Sequence, residues 1–263
     1  MNTNTNILLK INRLLDEIKL NSELLHYITI ESGKIQGKGY GAASIDQEIA
    51  AVIQLLNKQP QLIMDIGGNI GNYSANLRKR FPAANIHIFE PSLTNIASLK
   101  KRFSDDNNIK IIPNAISDRT GLHTLYSDAP GSGLGSLTKR RLDHFNIKFE
   151  TSETVQSLCF EDYWLNILNR QHIDIAKIDI EGHELNALIG FGESIQHIKV
   201  IQFEFGGCNI DTRTYFQDFW YFFKEYHYDM YRITPYGFNL ISRYNESDEF
   251  FSCTNYIAVN RNC

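Results

Sequence analysis

The sequence predicts an α/β protein: a doubly wound, mostly parallel sheet closed by an antiparallel strand, with an N-terminal helical extension. Three observations carry that expectation. From residue 61 onward, short apolar runs alternate with helical stretches, as parallel strands joined by crossover helices do. An apolar strand over residues 61–65 runs into an acid and a glycine-rich turn and then a helix. Near the C-terminus, strand, polar loop and strand recur without a helix, as an antiparallel pair would. A length of 263 residues is ample for one large core, and 43% hydrophobic content excludes a disordered tail.

In order, residues 7–25 carry Ile7, Ile11, Leu14, Leu15, Ile18 and Leu25 at helical spacing. The opposite face mixes Lys10, Arg13, Asp16, Glu17, Lys19 and Glu23 rather than the basic run of a membrane-surface helix. The apolar face is therefore expected to pack on the body or on a second subunit, giving a homo-oligomer. Gly33, Gly37, Gly39 and Gly41 read as a loop, and Ser44 with Gln47 as a capping box opening a helix. Strands are expected at 61–65, 85–89, 109–112, 173–179, 199–205, 228–233 and 254–260, and helices at 72–80, 92–103, 183–190 and 214–226. Extra strands at 121–126 and 153–160 flank a Gly/Ser loop. The division follows: residues 1–57 as helical extension and 58–263 as the α/β domain.

Composition narrows the function. A net charge of −4 argues against a dedicated nucleic-acid partner. No run of about 18 apolar residues predicts a membrane span. The start, Met1 to Asn6, has no cationic segment leading an apolar one, so no secretory signal is expected. Cys159, Cys208, Cys253 and Cys263 form no Cys-x-x-Cys pair. A reduced, cytoplasmic protein is the simplest reading.

The glycine turn decides the ligand class. In Asp65-Ile66-Gly67-Gly68-Asn69-Ile70-Gly71-Asn72-Tyr73-Ser74 the Gly-x-Gly-x-x-Gly spacing of a dinucleotide site fails, and no phosphate loop exists elsewhere. Asp65 at the strand end would repel a diphosphate and attract a cation. S-adenosylmethionine has no phosphate and carries an ammonium and a sulfonium, so it suits an acid-flanked turn. The next strand ends in Glu90-Pro91, where a carboxylate can accept both ribose hydroxyls of a nucleoside. Asn114 and Ala115, after the third strand, stand where an adenine edge would be met. The expected cofactor set is Asp65, Gly67, Asn69, Gly71, Tyr73, Ser74, Glu90, Pro91, Asn114, Ala115 and Asp179.

At these residues the sequence resembles the FkbM family of S-adenosylmethionine-dependent methyltransferases. The likeness rests on Asp65 to Gly71, Phe89-Glu90-Pro91, Lys177-Ile178-Asp179-Ile180-Glu181-Gly182-His183-Glu184 and Gln202-Phe203-Glu204-Phe205. It implies a class I, Rossmann-like methyltransferase fold over about residues 61–260. It also implies methylation of a hydroxyl on a sugar, glycan or other small natural product.

Such a hydroxyl is a poor nucleophile until its proton leaves, so a positioned base is expected. His183 is the first choice, Glu181 competes with it, and Asp179 orients the acceptor or meets the methionine part of the cofactor. A divalent metal on Asp179, Glu181 and Glu204 is the lesser reading. Glu204, Asn209, Ser136 and Tyr236 are acceptor candidates. The glycine-rich segment 130–136 reads equally as a lid or a surface loop. Lys139, Arg140 and Arg141 read as a solvated face. Rival functions are an NAD-dependent sugar oxidoreductase, methylation of RNA or protein, and a catalytically silent cofactor-binding assembly partner.

Overall fold

The structure, a computed structural model, describes residues 3–17, 22–39 and 44–263. Two N-terminal helices, α1 (Thr3–Glu17) and α2 (Ser22–Ile35), precede α3 (Ile45–Leu56). The expected helix over 7–25 therefore falls on two helices. Ile18, Lys19 and Gly41 lie outside the described residues. Gly33 is helical, not loop. Ile7, Ile11 and Leu14 on α1 and Leu25 on α2 are exposed rather than packed on the body. In contrast α3, capped by the Ser44 hydroxyl on the Gln47 amide (3.2 Å), buries Ile49, Ala51, Val52 and Leu56 in the core.

The body follows the order β1 (Leu62–Ile66), α4 (Asn72–Arg80), β2 (Asn85–Phe89), α5 (Leu93–Arg102), β3 (Ile109–Ile112), β4 (Ala115–Ser117), β5 (Gly121–Ser127) and β6 (Thr151–Cys159). It continues through α6 (Phe160–Asn166), β7 (Ile173–Ile178), α7 (Glu184–Ile189), β8 (Ile198–Phe205), α8 (Cys208–Thr212), α9 (Phe216–Glu225), β9 (Tyr228–Thr234), β10 (Gly237–Ile241) and β11 (Thr254–Asn260). The main sheet runs β3-β2-β1-β7-β8-β11-β9-β10. Its first five strands are parallel, and β11 inserts antiparallel to both neighbours. Four elements of the body fall outside the sequence expectation: β4, α6, α8 and β10 are short and lack a long periodic signal. The extra strands β5 and β6 pair with β4 in a second, three-stranded sheet.

Every residue of β1 and β7 is buried, as expected for central strands covered on both faces. On one face Ile63, Ile86, Ile88, Ile175 and Val200 pack beneath α3, α4 and α5. On the other, Phe89 and Phe203 meet α6, α7 and α9. The aromatic face of α9 is core, as its spacing predicts: Phe216, Phe219, Trp220 and Phe223 are all buried. Phe219 stacks on Phe203 with ring centroids 4.9 Å apart. Strand order reverses between β1 and β7, which opens a crevice at the carboxyl ends of the strands. Among the described residues no helix is long and apolar enough to cross a membrane.

Candidate active site

The crevice is a cleft with about 920 Å³ of space free of protein atoms. Its floor comes from the ends of β1, β2 and β7. At the end of β1 the amides of Gly67 and Gly68 both donate to the Phe89 carbonyl (2.9 and 3.1 Å), so the turn folds back onto β2. Gly67 has φ 84°, and a Cβ there would lie 1.9 Å from the Asp179 carbonyl oxygen. Only glycine fits such a position.

Glu90 ties this turn to the next loop. Its Oε2 accepts the Asn69 amide at 2.8 Å, and its Oε1 accepts the Ser92 amide at 2.9 Å and Asn95 Nδ2 at 3.4 Å. Burial raises its pKa, and these donors oppose the rise. A carboxylate anchored this way keeps lone pairs for a ligand and holds one orientation.

The loop after β7 carries the chemistry-bearing cluster. Asp179 donates its amide to the Ile66 carbonyl (3.0 Å), which joins this loop to the first. Glu181 adopts a left-handed backbone, φ 55°, and Gly182 follows at φ 100°. Glu184 stabilises that path from below: its buried Oε1 accepts the amides of Ile180 (3.0 Å) and Gly182 (3.1 Å). Burial raises the Glu184 pKa to about 7 despite those bonds. Lys177, buried two residues before Asp179, donates to Asp179 Oδ2 at 2.9 Å. Burial would lower its pKa, but the carboxylates of Asp179 and Asp65 raise it.

The Gly/Ser loop forms a roof. Ser136 pairs with Tyr126 through both backbone groups, folding the loop back on β5. A Cβ on Gly131 would strike Thr94 and Asn95 at the start of α5, and one on Gly133 would touch Asn69. The loop therefore lies across the cleft from α5 to the glycine turn, and Gly131, Ser132, Gly133, Gly135 and Leu137 line the space beneath it. Arg140 is not on a solvated face. It is largely buried, paired with Glu181 and 3.6 Å from Asp211, whereas Arg141 is exposed as expected.

The expected site residues separate into two groups. Gly67, Asn69, Glu90, Pro91, Asn114, Ala115, Asp179, Glu181, His183 and Glu204 all line the cleft. Asp65 does not. Its in-register neighbours are Ile88 and Lys177, so strand alternation turns it toward α4, where Oδ2 accepts Ser74 Oγ at 2.5 Å. Ser74 is buried in that pair. Tyr73 also faces away, donating its hydroxyl to Gln202 (2.7 Å), whose amide in turn reaches Glu48 of α3. Gly71 caps α4 and packs against Leu99 and Phe103. Asn209 is buried in α8 with Oδ1 on the Gly206 amide, and Tyr236 is exposed at the β9–β10 turn. Ser136 is outside the lining but braces it, donating to the Glu181 carbonyl at 2.8 Å. Asp179, Glu181 and Glu204 do not converge as metal ligands: no group of three such side chains is close enough among the described residues.

Sequence reasoning does not single out Glu153, Asn95, Lys177 or Ser117. Lys177 had a usable signal, since two residues before Asp179 on a strand means the same face. Ser117 had none, because β4 is only three residues long.

The electrostatics are one-sided. Glu90, Glu153, Asp179, Glu181 and Glu204 line the cleft, and among the described residues no lysine or arginine does. Burial, with the charges of Asp179 and Glu181, pushes Glu204 well above the usual carboxylate range, and Cys253 Sγ donates to it at 2.9 Å. Burial and Asp179 raise Glu181 to about 7, and Arg140 opposes the rise. His183 is lowered to about 4 by burial and by His123.

A buried acid whose folded pKa is raised from 4.5 to about 7 binds a proton more tightly folded than unfolded. Its contribution to stability is full below pH ~4.5 and is lost as pH rises toward ~7. Glu184→Gln should remove this dependence while keeping an acceptor for both amides. Urea melts at several pH values should therefore show the wild type losing stability relative to the variant between those limits. A constant difference would show that folding does not raise the Glu184 pKa.

Residues 65–232, more than half of the chain, match the family model described as the methyltransferase FkbM domain. The 2-O-methyltransferase NoeI of Sinorhizobium fredii (strain NBRC 101917 / NGR234) is 24% identical over 163 residues, 59% of this chain and 67% of the relative. Among solved structures, the plantazolicin methyltransferase BamL, in complex with a triazolic desmethylPZN analog and SAH, superposes with a TM-score of 0.50 at 11% identity. The match covers 90% of this chain and 91% of that one, a likeness of fold. Strand order, the cleft at the sheet's switch point and the family match agree: the chain belongs to the FkbM family of S-adenosylmethionine-dependent methyltransferases.

Proposed function

We propose that the protein transfers a methyl group from S-adenosylmethionine to a hydroxyl of a sugar or glycan. The observation that carries this reading is the acid-lined cleft without a basic residue among its described lining. A sulfonium nucleoside is attracted there, whereas a diphosphate would meet like charge with no cation to compensate. That contrast disfavours the NAD-dependent alternative. A hydroxyl as acceptor is supported by the relative named a 2-O-methyltransferase, and a sugar or glycan as its bearer is what the family resemblance implies.

Within this reading Glu90 accepts the ribose hydroxyls, and Asn114 with Ala115 borders the base. Asp65 acts from behind the turn: its charge reaches Glu90 but its carboxylate does not reach the cleft. The donor, when bound, supplies an activated methyl, so the chain's main task is in-line placement. As the acceptor oxygen bonds to carbon its proton becomes acidic, and a weak, neutral base suffices to remove it. His183 lines the cleft and is kept neutral by burial. Glu181 is the poorer base because one of its oxygens is held by Arg140. Asp179, aligned by Lys177, orients the acceptor or the methionine ammonium.

Glu90→Gln should weaken S-adenosylhomocysteine binding by about 10- to 100-fold, the value of a charge-assisted hydrogen bond. His183→Ala should lower turnover by about 10²- to 10⁴-fold with cofactor affinity unchanged. Calorimetry and initial rates separate the two, and wild-type affinity in the Glu90 variant would remove the ribose assignment. The acceptor class is tested by incubating the full chain with isotope-labelled donor and a cell-envelope glycan fraction, with mass detection. Added label on sugar hydroxyls is expected, and label confined to protein or RNA would overturn the reading. The exposed apolar residues of α1 support assembly with a second copy. Sedimentation velocity should then give a dimer or larger, and a monomer at micromolar concentration would exclude it.

A further inference from the structure

One buried chain of polar groups leaves the cleft in a direction that substrate binding does not explain. His183 lines the cleft, and its Nε2 lies 2.9 Å from Ser117 Oγ. Ser117 is fully buried at the end of β4. Its hydroxyl donates to Asp118 Oδ1, also at 2.9 Å, and Asp118 is exposed. The small second sheet thus carries a hydroxyl to the back of the imidazole and a carboxylate to the solvent. The end of α7 presses on the same place: a Cβ on Gly190 would lie 2.0 Å from the Ser117 carbonyl oxygen. That contact fixes β4 against the helix that follows His183.

We propose that Ser117 and Asp118 form with His183 a proton-exit relay from the cleft to solvent, with Ser117 as a positioning residue that sets the imidazole tautomer. The inference rests on the reading of His183 as the base. Hydrogen bookkeeping fixes the direction. A serine hydroxyl has one hydrogen, and the Asp118 carboxylate can only accept it. Ser117 Oγ must then accept from His183, which places the ring proton on Nε2 and leaves Nδ1 with its lone pair. In the forward step the acceptor oxygen bonds to the methyl carbon while the carbon–sulfur bond breaks with its electron pair on sulfur. The acceptor's proton passes to Nδ1, the Nε2 proton to Ser117 Oγ, and the serine proton to Asp118 and on to water. One proton enters the relay and one leaves it. The low basicity of the imidazole, set by burial and His123 and opposed by the Asp118 charge, agrees with rapid onward release.

The test reads the ring directly and needs no acceptor. The full-length protein, labelled with ¹⁵N-histidine, is examined by NMR, and the His183 signal is assigned by its loss in His183→Gln. The wild type and Ser117→Thr, which keeps a hydroxyl, should show His183 as the Nε2–H tautomer. Ser117→Ala should shift it toward Nδ1–H or a mixture. A wild-type ring protonated on Nδ1, or an unchanged tautomer in Ser117→Ala, would overturn the relay. With labelled donor and the envelope glycan fraction, Ser117→Ala should lose about tenfold in kcat with unchanged KM. Ser117→Thr should recover most of it, and the solvent isotope dependence should change from a multi-proton to a single-proton form. Equal kcat in Ser117→Ala and wild type would equally reject the relay. Methylation that persists with the relay disproved would leave the proposed function standing. A correct tautomer response in a protein that methylates no glycan would instead count against the acceptor.

Discussion

Negative charge with no cation on the ligand side of a walled cleft is the constraint on which the rest of this structure depends. Carboxylates from β6, β8 and the loops after β2 and β7 border one space, and the cations Lys177 and Arg140 stand behind two of them. Lys177 lies beneath Asp179 and Arg140 beneath Glu181. Each cation stabilises an acid from the protein side, leaving the ligand side acidic. Such an arrangement attracts a cation and repels phosphate, and together with burial it raises the proton affinity of Glu181 and Glu204.

The charges would be useless without loops stiff enough to hold them. Three loops meet at the floor, and backbone contacts join them. The glycine turn leans on the Phe89 carbonyl, Asp179 reaches the Ile66 carbonyl, and Gly67 leaves no room for a side chain against Asp179. Glu184 then holds the left-handed stretch at Glu181 and Gly182 by two amides. Positions held this way place reactive groups within the narrow limits that methyl transfer needs. The roof contributes as well, since Ser136 grips the same backbone from above.

The fold was largely legible because its central strands are apolar runs and its helices carry clear periodicity. The motifs also marked the cleft, since Glu90, Asp179, Glu181, His183 and Glu204 all arrive there. Errors arose where one-residue alternation decides the outcome. Asp65 sits one position before the lining residue Ile66 and so points to the opposite layer. Tyr73 and Ser74 lie on a helix whose buried face looks at the sheet rather than the cleft. Asn209 follows a strand end, where sequence cannot tell a capping amide from a ligand contact. Arg140 looked solvated within a run of three cations, and only the folded loop shows it buried. The contribution of β4 was invisible, because three residues carry no period.

The most direct test of the electrostatic account is calorimetric titration of the full chain with S-adenosylmethionine, NAD and NADP under one buffer. The account predicts that S-adenosylmethionine binds and that NAD binds at least about 100-fold more weakly, consistent with the several kcal/mol of like-charge juxtaposition. NADP, with a further phosphate, should bind more weakly still. NAD binding as tight as that of S-adenosylmethionine would contradict it.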